Sequence, residues 1–258
     1  MRMKQGAAMT HRAWRSHGLS RRTGWPGRAA WLAVVVGVTM GGPALAQESR
    51  PAGPAVAVTA AVSTDFVSRG ISMSDGDPAV SLGVDVSQGL FYVGGWAGNA
   101  SFAGDADTKA EIDLYVGVRP SFGGFDWDFS LAHYVFAGQP SGADYDFSEV
   151  RAMASRQVGP VAVGALLYWS PDFFGVEEKQ GTYMELNGAI QPIERLKVSA
   201  AVARQQVSSD ADYNTWNLGA TWGMTPNLSL DVRYYDTDAH RLGDIYASRV
   251  VASLAAAF

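Results

Sequence analysis

The chain has 258 residues, of which 47% are hydrophobic and only 17% charged, and its formal net charge is −5. So little charge is unusual for a soluble globular protein, and 29 glycines with 11% aromatic residues suit strands and tight turns better than helices. The absence of cysteine excludes a disulfide scaffold, a zinc ribbon, a thiol nucleophile and a lipid-anchored N-terminal cysteine.

Residues 1–46 come first in chain order, as a targeting segment. Arg2, Lys4, Arg12, Arg15, Arg21, Arg22 and Arg28 are its charges, with no acid among them. The apolar run Ala29 to Met40 follows, then Gly41-Gly42-Pro43 and Ala44-Leu45-Ala46. A basic start, a short apolar run and an A-x-A site predict a secretory signal peptide cleaved after Ala46. The run is too short to cross about 30 Å of hydrocarbon as a helix. Ser20-Arg21-Arg22 fits an Arg-rich start better than a twin-arginine signal, and Met9 is an alternative translation start. Without the seven basic residues, 13 basic side chains face 25 acidic ones, a charge of −12. A polyanionic mature chain argues against nucleic acid and anionic membrane surfaces as partners.

A short Pro- and Gly-bearing lead, residues 47–54, precedes one domain over residues 55–258. That domain reads with period two. From Lys109 to Arg119 the even positions Ala110, Ile112, Leu114, Val116 and Val118 are apolar, whereas Lys109, Glu111, Asp113 and Arg119 are charged. Successive strand side chains point to opposite faces, so one face is apolar and the other polar. The split recurs at Val80, Leu82, Val84 and Val86, at Met184, Leu186 and Ile190, and at Leu228, Leu230, Val232 and Tyr234. No sustained 3.6-residue period follows residue 50, so no substantial helix is expected. The pattern predicts strands over 55–72, 78–87, 90–99, 108–121, 125–136, 145–157, 161–171, 182–191, 195–207, 213–224, 228–237 and 246–258.

The connections alternate in length. Met73–Asp77, Ala100–Asp107, Ala137–Asp144, Asp172–Gly181, Ser208–Asp212 and Asp238–Ile245 are wide, while Gln88-Gly89, Phe122-Gly123-Gly124, Val158-Gly159-Pro160, Pro192-Ile193-Glu194 and Thr225-Pro226-Asn227 are tight. Long extracellular loops alternating with short periplasmic turns are the layout of an outer-membrane barrel. A soluble sandwich has no reason to sort its loops this way. The expected fold is therefore all-β: a transmembrane antiparallel up-and-down β-barrel of about twelve strands, with both termini in the periplasm.

Polarity sense agrees. The polar face carries Asp65, Asp85, Glu111, Asp113, Glu149, Arg151, Glu185, Asp231, Arg233 and Arg249, too many charges for a dry core. These suit a polar lumen with the apolar face turned to lipid. Phe125, Trp127, Trp169, Trp216, Trp222 and Tyr234 fall on the apolar parity, mostly near strand ends, where membrane girdles lie. Counting back from Phe258 in twos gives Ala256, Leu254, Ala252 and Val250. A terminal Phe in phase with an apolar face resembles the signal read by the barrel-insertion machinery of bacterial outer membranes.

Several segments also resemble one family: Ser63-Thr64-Asp65-Phe66-Val67-Ser68-Arg69-Gly70-Ile71-Ser72, Pro78-Ala79-Val80, Gly89-Leu90-Phe91-Tyr92-Val93-Gly94-Gly95-Trp96-Ala97, Glu111 to Gly117, Trp169-Ser170-Pro171-Asp172-Phe173-Phe174-Gly175 and Tyr235-Asp236-Thr237-Asp238. Together they resemble the TorF-type family of proteobacterial outer-membrane proteins, classed as porins though of unknown function. The first segment, with Arg69-Gly70 after an aromatic, is the most specific. Val135-Phe136-Ala137-Gly138 departs from the family pattern, which carries a Tyr and a Pro before the Gly, and this bears on the third loop. The resemblance implies an outer-membrane barrel and a porin role, without a substrate.

Twelve strands make a barrel wider than the side-chain-filled eight-stranded kind and narrower than open porins of about 16. Asp65 with Arg69, and Asp231 with Arg233, share strand faces and either neutralise each other or line a narrow pore. The candidate pore-lining residues are Asp65, Arg69, Asp85, Glu111, Asp113, Glu149, Arg151, Glu185, Asp231, Arg233 and Arg249. Acids outnumber bases among them, so small polar solutes or ions, with a lean toward cations, are the expected cargo. The loops carry Asp75, Asp77, Asp105, Asp107, Asp144, Asp146, Asp172, Glu177, Glu178, Asp210, Asp212, Asp238 and Asp244, as a solvated rim or as sites for divalent cations bridging to lipopolysaccharide. No ordered calcium loop spacing is present, and no cofactor or metal is expected. A non-conducting structural or receptor barrel is an alternative. So is a lipid hydrolase, although the mature chain has only His133, on the apolar parity in the same strand as Ser130, and His240, with no Gly-x-Ser-x-Gly elbow.

Overall fold

A computed structural model describes residues 53–102, 107–174 and 180–258. The expected signal peptide, all but the last two residues of the lead, and Asp105, Glu177 and Glu178 lie outside the described residues.

Twelve strands form the wall: β1 Ala55–Ser63, β2 Ala79–Gln88, β3 Phe91–Asn99, β4 Ala110–Val118, β5 Phe125–Ala137, β6 Phe147–Val158, β7 Val161–Ser170, β8 Gly181–Ile193, β9 Leu196–Gln206, β10 Tyr213–Gly223, β11 Leu228–Thr237 and β12 Arg249–Ala257. Each pairs antiparallel with its chain neighbours. β1 pairs with β12 from Thr59–Ala257 to Ser63–Ser253, which closes the sheet. Closure leaves no unpaired edge, the condition for crossing a lipid core with strands.

Alternation then assigns the faces. On β4, Leu114 and Val116 are 57% and 51% exposed while Glu111 is 4%. Val80, Leu82, Leu186, Leu218 and Val250 likewise face outward, as do the girdle aromatics Phe125, Trp169, Trp216, Trp222 and Tyr234. Charges and small polar side chains face the lumen. Short turns lie at the rim that also holds both ends of the barrel, and the long connections lie at the other, described over residues 64–78, 100–102, 107–109, 138–146, 171–174, 180, 207–212 and 238–248. Ser121 and Phe122 extend the pairing onto β5, so Gly123-Gly124, with φ of 64° and 78°, makes a two-residue turn of the mirror-image type that matches strand twist.

Most strand boundaries differ from expectation by one or two residues, and four of the differences have a visible cause. The first strand stops at Ser63 rather than running to residue 72, because the Asp65 carboxylate takes hydrogen bonds from the Ser72 and Ser74 hydroxyls (2.6 and 2.9 Å) and turns the chain inward. The fourth stops at Val118, just before Arg119-Pro120; proline has no N–H to offer a ladder. The eighth runs on to Ile193 through a register shift around Pro192, which moves its turn to Glu194-Arg195. The last begins at Arg249, since Asp244–Tyr246 forms a short 3-10 turn.

Aromatics fill the lumen near the long-loop rim. Phe66, Trp96, Tyr134, Phe136 and Phe147 are buried there, packed with Phe102, Tyr145, Phe173 and Phe174 from the wall and the long connections.

Candidate functional site

The first long connection folds into the barrel. Val67–Ser68 pairs with Ile71–Ser72 around Arg69 and Gly70, whose φ values of 51° and 83° define a two-residue hairpin turn. Gly70 lies so close to β10 that a Cβ there would sit 1.9 Å from Thr215 Oγ1. The Tyr213 hydroxyl donates to the Arg69 carbonyl at 3.1 Å. Backbone geometry and one close approach thus aim the Arg69 side chain across the lumen.

The guanidinium meets residues from five strands and one long connection. Nη2 lies 2.6 Å from Glu149 Oε1 on β6 and 3.5 Å from the Tyr134 hydroxyl on β5, and Nη1 donates to Gln205 Oε1 on β9 at 3.2 Å. The rings of Phe173, Tyr183 and Tyr168 surround it with centroids at 5.1, 5.5 and 5.7 Å, within the range of cation–π attraction. The Tyr134 hydroxyl donates to Glu149 Oε2 at 2.8 Å and accepts from Arg151, whose Nε is 3.6 Å from the same carboxylate oxygen. The Glu149 side chain is 1% exposed, so its charge is balanced by side chains rather than by water.

Asp65 and Arg69 do not pair with each other, contrary to the shared strand face expected of them. Asp65 Oδ2 accepts from Arg249 Nη1 at 2.7 Å, tying the base of the hairpin to β12. Asp231 and Arg233 do neutralise one another at 3.1 Å, and Arg233 also donates to Asn217 and to the Ser199 hydroxyl. Glu185 is held by the Tyr183 hydroxyl and the Asn187 amide, both neutral donors. Asp85 accepts from the Tyr115 hydroxyl at 3.0 Å. Glu111 and Asp113 sit beside the Arg69 cluster, and Glu111 Oε2 and Asp113 Oδ1 are buried with no hydrogen-bond partner.

Sequence reasoning missed the residues that receive Arg69. Tyr134, Tyr168, Tyr183 and Gln205 lie on the polar parity, and that parity was the available signal: an aromatic out of phase with the lipid face must point inward. Nearer the short turns, the Arg119 guanidinium lies over the Tyr92 ring at 3.7 Å and pairs with Asp128 at 2.9 Å. His133 faces outward, with Nδ1 3.0 Å from Ser148 Oγ, while Ser130 is buried on the lumenal side. Residues 130 and 133 fall on opposite faces because their spacing is odd, so the two do not form a pair. The cross-strand neighbours of His133 are Leu114 and Ser148, with no acid to complete a triad. Among the described residues no three His, Cys, Asp or Glu side chains gather as around a metal; Asp146 accepts the Phe136 N–H of β5, and Asp212 accepts the Val207 and Ser208 N–H groups of its own loop.

Residues 48–258 match the model of a family described as a bacterial protein of unknown function, Gcw_chp. The chain belongs to this family. A search among curated proteins finds no match. Among solved structures, the KdgM porin superposes with a TM-score of 0.56 at 9% identity, over 78% of this chain and 99% of that one. KdgM porin in complex with disordered oligogalacturonate gives 0.53 at 8% identity, over 79% and 99%. The NanC porin gives 0.52 at 9% identity, over 79% and 99%. Such identities establish the fold alone: this Gcw_chp chain shares the closed barrel fold of the KdgM and NanC porins. The family description carries no porin name.

Proposed function

We propose that this Gcw_chp protein is an outer-membrane channel for small polar solutes or ions, closed in the described state by its first long loop. One observation carries the reading. The obstruction is a hairpin held by side-chain contacts, whereas the wall's own hydrogen-bond ladder is complete without it. A plug of that kind can leave while the barrel stays intact. The porin fold of KdgM and NanC and the TorF-type resemblance support the same reading. Asp65, Asp85, Glu111, Asp113, Glu149, Glu185 and Asp231 outnumber Arg69, Arg151, Arg233 and Arg249, which favours cations over anions. The long loops would face the cell exterior and its lipopolysaccharide, and Phe258 would serve the insertion machinery.

The test is conductance across planar bilayers, joined to swelling of proteoliposomes in graded sugars. Wild type is expected to open rarely, and Arg69→Ala to raise the time-averaged conductance with cations favoured at zero-current potential. A second reading, a non-conducting receptor or structural barrel, is favoured by the Arg69–Glu149 and Asp65–Arg249 ion pairs that hold the plug. Failure of both wild type and Arg69→Ala to conduct or swell would decide for it.

A further inference from the structure

Arg69 fills a receptor that the wall builds without help from the hairpin. Three ring faces, the Glu149 carboxylate, the Gln205 carbonyl and the Tyr134 hydroxyl come from β5, β6, β7, β8, β9 and the connection that holds Phe173. Aromatic faces with a carboxylate suit a weakly hydrated, planar cation far better than a small, strongly hydrated one. Charge points the same way. Once Arg69 leaves, Glu149 Oε1 loses its ion-pair partner, while Oε2 keeps the Tyr134 hydroxyl and Arg151. The vacated site would be an aromatic-walled pocket with one free carboxylate oxygen and the Gln205 carbonyl left to accept.

We propose that this cage is a binding site for solutes bearing a guanidinium group, and that Arg69 is its built-in occupant. A free guanidinium solute competes with Arg69, the hairpin swings out of the lumen, and the barrel opens to the solute that displaced it. The opening step rests on the channel reading above; the binding step does not. Competition follows from shared contacts, since one carboxylate oxygen and the same three rings cannot serve two guanidinium groups at once. Hairpin occupancy also weakens the apparent affinity by the fraction of molecules in which the cage is free.

Agmatine is the probe, with cadaverine as a dication of similar length that lacks the guanidinium. Binding is measured by calorimetry on the full mature protein in detergent, with faster gel migration before boiling as the check on folding. Arg69→Ala is expected to bind agmatine at least about tenfold tighter than wild type, the gain when the free cage is a tenth populated or less. Adding Glu149→Gln to Arg69→Ala should reverse the gain, and cadaverine should bind weakly to every form. Arg69→Gln replaces Arg69→Ala if the latter fails the folding check. In bilayers, millimolar agmatine should raise the wild-type open probability and leave Arg69→Ala unaffected. Equal agmatine affinity in wild type and Arg69→Ala, or indifference to Glu149→Gln, overturns the proposal even if Arg69→Ala conducts. Tighter binding by an Arg69→Ala barrel that never conducts upholds the cage and instead sinks the channel reading.

Discussion

At the scale of single residues, the turn of the inward-folded hairpin depends on one glycine. Gly70 has φ of 83° and no room for a Cβ against Thr215. Gly70→Ala is expected to cost the hairpin about 1–2 kcal/mol from the left-handed backbone alone. Basal conductance should therefore rise while the temperature at which the barrel loses its fast gel migration hardly moves; a fall in that temperature with unchanged conductance would place Gly70 in the wall's stability instead. Asp238, just beyond β11, gives a pH-dependent contact. Burial by itself would raise its pKa, but the Asn214 backbone N–H at 2.8 Å and side-chain amide at 2.5 Å hold it below the ordinary carboxylate value. Because the folded pKa is the lower one, the contact contributes fully above the unfolded value of about 3.9 and is lost as pH falls through the folded value. Amide exchange at Asn214, corrected for the intrinsic rate, should be level between roughly pH 7 and 5 and lose protection below about pH 4. Asp238→Asn should flatten that acid limb.

At the scale of elements, alternation decides which face meets lipid, and the consequence is steep. Leu114 lies mid-strand on β4 and is 57% exposed on the lipid side. Leu114→Arg should destabilise the barrel by about 2–4 kcal/mol, as arginine at the bilayer midplane does. A lumenal change such as Ser253→Ala on β12 should cost far less, and urea unfolding in lipid vesicles would compare the two; similar costs would mean the faces are assigned wrongly. The twelve strands and their sorted connections were legible because period two and turn residues are local signals. The end of β1 was not. From Ser63 to Ser72 the chain goes on looking strand-like, since a hairpin inside a polar lumen uses the same mixture of side chains as the wall around it. Only the hydrogen bonds of Asp65 with Ser72, Ser74 and Arg249 show where the wall stops. Asp65 and Arg69 share a parity four residues apart, but the hairpin turn at Arg69-Gly70 takes them off any common strand face.

At the scale of the whole molecule, closure joins the two ends of the domain. Phe258 donates to the Val58 carbonyl and accepts from its N–H, both at 2.9 Å, while its side chain is 70% exposed. Phe258→Ala removes little packing, so refolding into detergent should be unaffected, whereas assembly in cells should fall; equal loss in both would make Phe258 a stability residue and not an insertion signal. Removal of residues 66–73 should likewise leave the closed wall folded, judged by gel migration, because none of its ladder pairs involve them. The sequence by itself determined the barrel, its strand number, its lipid and lumenal faces and the charges that point inward, because each of these follows from spacing along the chain. The tertiary structure alone decided what those charges do. Arg69 reaches Glu149 and Gln205 across separations of 80 and 136 residues. Only closure of the sheet brings such distant positions together around one guanidinium.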